Sequence, residues 1–242
     1  MTRSSTSPPD ASTTEEGTTE EGTYGGPPEV AQQATGPGKQ KNNALIYAAG
    51  DVIVWIAAQN TAGPVTGFED ITTLTGYYCL GWVDTSGYIF KLDETVKDIP
   101  AAGILTPVRT ILTGGSKTVQ QTFLEGLNPY VRSLYDDVPI FPVASSPLVA
   151  TTTAPYTAAY TIPDPPADNR YAMIWDTLDG AKAMRLYAPN VKVTARGNDQ
   201  PQQADIEMFD MTVTMYPGNV AGAIYVAKRF INYGQSMTGY FT

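Results

Sequence analysis

The sequence predicts a mainly β protein, an antiparallel sandwich or barrel with one short flanking α-helix, and three observations predict it. Runs rich in β-branched and aromatic residues recur along the chain, each bounded by Gly, Pro, Asn or Asp. IEMFDMTVTMY alternates strictly, with Phe209, Met211, Val213 and Met215 on one face and Asp210, Thr212 and Thr214 on the other. The only convincing helix signal is NPYVRSLYDDV, in which Asn128 can cap, Pro129 takes the first helical position, and Val131, Leu134 and Tyr135 share a face.

Taken in order, ALIYAAGDVIVWIAAQ reads as one buried strand or two, bounded by Gly50 and by Asn60 to Pro64. Tyr77 to Val83 leads into a turn at Asp84, Thr85, Ser86 and Gly87 and returns along Tyr88 to Leu92, which predicts a hairpin. An acidic loop, Asp93 to Gly103, follows. Next comes an extended pair, Thr106 to Leu112 and Lys117 to Leu124, split by the breaker Thr113, Gly114, Gly115. After the helix, residues 138–168 are rich in Pro and Thr, which suits an extended connection with at most edge strands. YAMIWDT turns at Leu178, Asp179 and Gly180 and returns through AKAMRLYAPNVKVTA, and AIYVAKRFINYG supplies the last strand.

The chain has 242 residues, 42% of them hydrophobic, enough for one sizeable β domain. Residues 1–41 differ in kind: they are Ser, Thr, Glu, Gly, Pro and Gln with the tandem repeat TTEEG at Thr13–Gly17 and Thr18–Gly22. Such a segment buries too little apolar area to offset its ordering entropy, so the expected division is an acidic low-complexity N-terminal arm, 1–41, and a β domain, 42–242. No run approaches the roughly 20 apolar residues of a membrane helix. MTRSSTSPPD has no apolar run behind it, so no secretory signal is expected and the cytoplasm is the expected place of synthesis.

Histidine is absent and Cys79 is the single cysteine. That removes Ser-His and Cys-His nucleophiles, a disulfide and the commonest zinc ligand together. Net charge is −9 with a pI near 4.4, which disfavours a surface that grips phosphate backbones. GGSKT at Gly114–Thr118 lacks the glycine that a phosphate loop needs before its lysine. Asp136 and Asp137 are neighbours at a helix end and diverge into solvent; Asp176 and Asp179 flank a turn, with too few local oxygens for calcium. No catalytic residue, metal site or cofactor is expected. The remaining enzyme alternative is a glycoside hydrolase that works with carboxylates alone.

The ordered set AAGDVIVWIA, GYYCLGWVDTSGYIF, DETVKDIPAAG, PVRT, TFLEGLNPYVRSLY and WDTLDGAKAMRLYAPNVKVTA resembles the major tail protein, or tail tube protein, of long-tailed non-contractile bacteriophages, from about Leu45 to Tyr225. The resemblance implies a small β domain with a flanking helix that self-assembles into stacked hexameric rings, their sheets joined into a continuous inner barrel. It also implies a place in the virion tail after assembly in the host cytoplasm. Implied partners are further copies of the chain, a tape-measure protein in the lumen, tail terminator and distal tail proteins, and double-stranded DNA in transit without specific binding. No membrane contact is implied. Asp84, Gly87, Asp93, Glu94, Lys97 and Asp98 match the excursion used for contacts between rings. Arg109 and Glu125 match charged positions that make intersubunit or helix-anchoring ion pairs, and Asp205, Glu207 and Asp210 are the candidate lumen acids. On a regular strand Glu207 and Asp210 take opposite faces, so both cannot face the channel. The N-terminal arm is an addition to the pattern. The alternative reading is a phage decoration or receptor-binding sandwich that recognises carbohydrate through exposed aromatics.

Overall fold

The computed structural model describes residues 46–64, 67–70, 74–104, 106–142, 157–164, 166–199 and 206–234; the N-terminal arm lies outside them. Among the described residues nine strands and one helix follow in the order β1 Asp51–Ala58, β2 Tyr78–Ile99, β3 Arg109–Phe123, α1 Pro129–Asp136, β4 Tyr171–Asp179, β5 Lys182–Arg196, β6 Phe209–Met215, β7 Gly218–Val220, β8 Ala223–Tyr225 and β9 Lys228–Asn232. All pairings are antiparallel. The main sheet runs β4-β1-β2-β3-β6-β5-β9, and β4 also pairs with β5, so six strands close on themselves as a barrel and β9 is added to the outer edge of β5.

Period-2 alternation decides what fills the barrel. Phe209, Met211, Val213 and Met215 of β6 point inward and are buried, while Asp210, Thr212 and Thr214 stay half-exposed outside. Tyr171, Met173 and Trp175 of β4 meet Leu186, Ala188, Val191 and Val193 of β5 in the same cluster. Trp175 needs a partner for its indole N–H inside this apolar space, and it donates to Gln121 Oε1 at 2.5 Å. β4 is buried on both faces: Ala172 and Ile174 pack outward with Ala57 and Tyr187 in a second cluster that includes Tyr77, Tyr225 and Phe230. That second layer is pinned by charge. Arg185, on the outer side of β5, makes a two-pronged bond to Asp176 across the hairpin (Nε to Oδ1 2.6 Å, Nη2 to Oδ2 2.8 Å), and its Nη1 donates to the carbonyls of Gly67 and Glu69.

Helix α1 closes the barrel end where β2 and β6 begin. Asn128 accepts from the Tyr130 N–H as the N-cap, Asp137 ends the helix with a left-handed backbone, and Val131 and Leu134 join the barrel core. Tyr78 stacks on Tyr130 with ring centroids 4.9 Å apart, and Tyr135 meets Phe209 edge-on.

Three expectations require correction. Asp84–Gly87 is not a hairpin turn: Val83 pairs with Phe123 and Tyr88 with Gln121, so four residues of β2 bulge against Thr122 alone and the strand then continues in its direction. The turn chemistry is present, with Asp84 accepting from the Ser86 N–H and hydroxyl and Gly87 at φ +67°, but it makes a local loop-out. Asp93–Ile99 is strand, not loop. Thr113, Gly114 and Gly115 do not split β3; Thr113 is the extra residue of a second bulge, between the Thr95–Gly114 and Val96–Leu112 pairs. At the two ends of the chain, residues 46–49 precede β1 without strand structure, and the last predicted strand is divided into β8 and β9.

Two stability predictions follow from these contacts. Arg185→Ala leaves a buried carboxylate and two carbonyls unpartnered, and is expected to lower unfolding free energy in urea by about 3–5 kcal/mol. The double variant Asp176→Leu/Arg185→Met is expected to lose much less. Asn128→Ala removes the helix cap and is expected to cost about 1 kcal/mol, a drop of about 2–4 °C in melting temperature.

Candidate self-assembly surface

β2 has 22 residues and β3 has 15, whereas β1 has 8, β4 has 9 and β6 has 7. β1 pairs with β2 only between Tyr78 and Trp82, and β6 pairs with β3 only between Lys117 and Phe123. Beyond those limits Asp93–Ile99 and Arg109–Ser116 pair with each other alone. They form a two-stranded ribbon that leaves the barrel at the end opposite α1.

Directly paired residues share a face, so the register sorts the ribbon's side chains. One face continues the barrel interior from Tyr88 and Phe90 and carries Leu92, Glu94, Val96 and Asp98 with Lys117, Leu112 and Thr110 opposite. The Thr110 hydroxyl donates to Asp98 Oδ1 at 2.7 Å, across that face. The other face carries Ile89, Lys91, Asp93, Thr95, Lys97 and Ile99, with Ile111 and Arg109 opposite the last two. Val96 and Leu112 on the first face of the ribbon are 56% and 60% exposed, and Ile99 on the second is 37% exposed, so both faces present apolar surface to water.

Most of the barrel's cations have a partner, and among the described residues those of the ribbon do not. Lys228 lies over the Tyr225 ring and Arg229 over the Phe90 ring. Arg132 holds Asp199 and Glu207, Arg170 and Lys192 hold Asp168, Lys182 holds Asp179, Arg185 holds Asp176, and Arg196 holds Asp137. Among the described residues Lys91, Asp93, Glu94, Lys97 and Arg109 enter none of these pairs.

The residues singled out from the sequence separate into three places. Asp93, Glu94, Lys97, Asp98 and Arg109 are gathered on the ribbon, and Arg109, at its far end beside Ile99, is far along β3 from the helix and anchors nothing there. Asp84 and Gly87 sit at the bulge below it. Hydrogen bonds from the Ser86 hydroxyl and from the Ser86 and Thr85 backbone hold the exposed Asp84 carboxyl below its ordinary pKa. Glu125 forms no ion pair: it accepts from the Trp82 N–H at 3.0 Å and from Asn128 Nδ2 at 3.2 Å, tying the bulged strand to the helix cap. It reaches Trp82 because Gly81, at φ +80°, has no side chain in the way.

Of the three candidate lumen acids, Asp205 lies outside the described residues. Glu207 precedes β6 and is drawn to the helix by Arg132 at 3.0 Å, so it is a helix clasp, not a free acid. Asp210 alone stands on the outer face of β6, within 3.3 Å of Gln120 Nε2. That face of β3, β6 and β5 is otherwise mainly hydroxyl and amide, with Thr118, Gln120, Thr122, Thr194, Thr212 and Thr214 beside Lys192 and Ala195. The acids weighed for chemistry are occupied. Asp136 accepts from the Tyr160 hydroxyl at 2.5 Å, Asp137 is held by Arg196 and Asn169, and Asp179 is held by Lys182 and the Ala48 N–H.

Sequence reasoning missed the half-exposed apolar residues of the ribbon. Their signal is the alternation Leu92, Glu94, Val96, Asp98, visible once the segment is read as strand.

No protein-family model matches the sequence, and no curated protein matches it. Among solved structures the chain overlays on a mutant form of the Hcp1 protein from E. coli EAEC 042 pathovar at 9% identity, over 74% of this chain and 97% of that chain, with a TM-score of 0.28. At that score the overlay defines no common topology.

Proposed function

We propose that this chain is a structural protein that self-assembles into a tube, the major tail protein of a long-tailed non-contractile bacteriophage. The observation that carries the reading is the ribbon. A two-stranded hairpin without a third strand or a packed face is marginal in water, and this one has two open edges and apolar side chains on both faces. A second copy of the chain supplies the missing cover. Stacked hexameric rings, as the order of sequence segments implies, bring every ribbon against a neighbour.

The outer face of β3, β6 and β5 suits the wall of the channel. It is mostly polar and lightly charged, with Asp210, Lys192 and Ala195 among threonines and Gln120, and a net charge of −9 disfavours holding phosphate. In this reading the tape-measure protein occupies the lumen until DNA passes, and terminator and distal tail proteins bound the tube at its ends. The protein resides in the virion tail after assembly in the host cytoplasm. It performs no catalysis, and its acids serve structure or solubility.

The test replaces residues 94–115 by Asn-Gly, joining Asp93 to Ser116, which already pair, through a two-residue turn. The shortened protein is expected to remain a folded monomer, with a melting temperature within about 4 °C of the parent, while electron microscopy shows rings or tubes for the full chain and none for the variant. Tubes from the shortened chain would overturn the role of the ribbon. A full chain that stays monomeric and binds glycans would replace the reading with the carbohydrate-binding one.

A further inference from the structure

The ribbon's faces differ in charge as well as direction. Near the tip, the face that continues the barrel interior has Asp98, and the opposite face has Lys97 and Arg109. Along the ribbon axis Asp98 lies one residue beyond Lys97 and one short of the Ile99–Arg109 row, about 3.3 Å from each level. The carboxylate on one face is therefore level with the gap between two cations on the other. The apolar residues follow the same plan. Val96 and Leu112 form one row on the acidic side, and Ile111, on the basic side, is one residue away along the axis.

We propose that the ribbon of one copy lies face to face on the ribbon of the next, acidic face on basic face, so that Asp98 of each copy sits between Lys97 and Arg109 of its neighbour. The inference rests on the self-assembly reading and adds its polarity. Sheets stacked face to face lie about 10 Å apart, a distance that side chains from both ribbons fill. The contact joins two different patches and so propagates head to tail, as a ring or stack requires; an isologous dimer would bring like charges together. It covers both apolar faces of each ribbon at once. Asp93 is the acid on the basic face, nearer the barrel, which leaves the tip as the part where opposite charges meet.

The test is a charge exchange in the full chain. Asp98→Lys makes both tip faces positive, and the pair Lys97→Glu/Arg109→Glu makes both negative. Each variant alone is expected to raise the concentration needed for ring or tube formation by about tenfold or more, since like charges are then juxtaposed. An equimolar mixture is expected to assemble near the parent concentration, with the two variants alternating. The chain carrying all three changes is expected to assemble by itself. All defects are expected to shrink as salt is raised toward 1 M, where screening reaches about 3 Å.

If the parent assembles and each single-face variant does too, the charge register is wrong while the tube reading stands. If the variants fail alone and their mixture also fails although circular dichroism shows them folded, the face-to-face contact is wrong. If the parent forms no assembly, the inference falls together with the tube reading.

Discussion

Strand length is the constraint on which the rest of the molecule depends. A small closed barrel occupies 7 to 9 residues of β1, β4 and β6, and every longer strand must find a use for its excess. β5, with 15 residues, finds it within the chain: its first half lies between β4 and β9, and its second half turns to β6. β2 and β3 do not. Their excess runs out together as a ribbon because each is the other's only remaining neighbour, and hydrogen bonding between them holds the pair extended. The two bulges are consistent with this division. The first, at Asp84–Gly87, follows the point where β2 parts from β1, and the second, at Thr113, adds a kink partway out along the ribbon.

The barrel itself is unequally covered. Over β1, β4 and β5, a second layer with Phe230, Tyr77 and Tyr225 buries the outer face, and Arg185 fastens Gly67 and Glu69 onto it through a paired charge. Burial of Tyr77 and Tyr187 raises both phenol pKa values, which keeps this layer neutral across the ordinary pH range. Over β3 and β6 the described residues form no such layer, and the side chains there are hydroxyls, amides and Asp210. One side of the barrel thus faces its own chain and the other faces solvent, while the ribbon extends the strands of the solvent side.

Much of this was legible in the sequence, for identifiable reasons. β6 announces itself because one face is dry and the other wet, and α1 because Asn128 and Pro129 supply a cap and a first turn that no strand wants. The β4–β5 hairpin follows from its turn. The ribbon does not read as strand from its sequence because Asp93, Glu94, Lys97, Asp98, Gly114 and Gly115, of types that strands disfavour, interrupt it. What holds it extended is pairing with a segment 10 to 23 residues away, and propensity does not report pairing. Gly114 and Gly115 read locally as a breaker, whereas at Gly115 the backbone of β2 approaches closely: a side chain there would come within 3.3 Å of the Asp93 carbonyl. Glu207 was assigned by strand parity, but its position is set by Arg132, 75 residues earlier, and no local pattern carries that.

The same comparison explains why the ribbon's charges are informative when surface charges usually are not. An exposed ion pair contributes little, so unpaired lysines on a surface ordinarily signify nothing. Here the contrast lies within one molecule. Most barrel cations have a partner: Arg132, Arg170, Lys182, Arg185, Lys192 and Arg196 are ion-paired, and Lys228 and Arg229 lie over aromatic rings, whereas among the described residues Lys97 and Arg109 of the ribbon enter neither kind of contact. Those leftover charges flank apolar side chains that water solvates poorly on both faces. In the proposed contact, charge gives direction and register while apolar burial supplies the driving force.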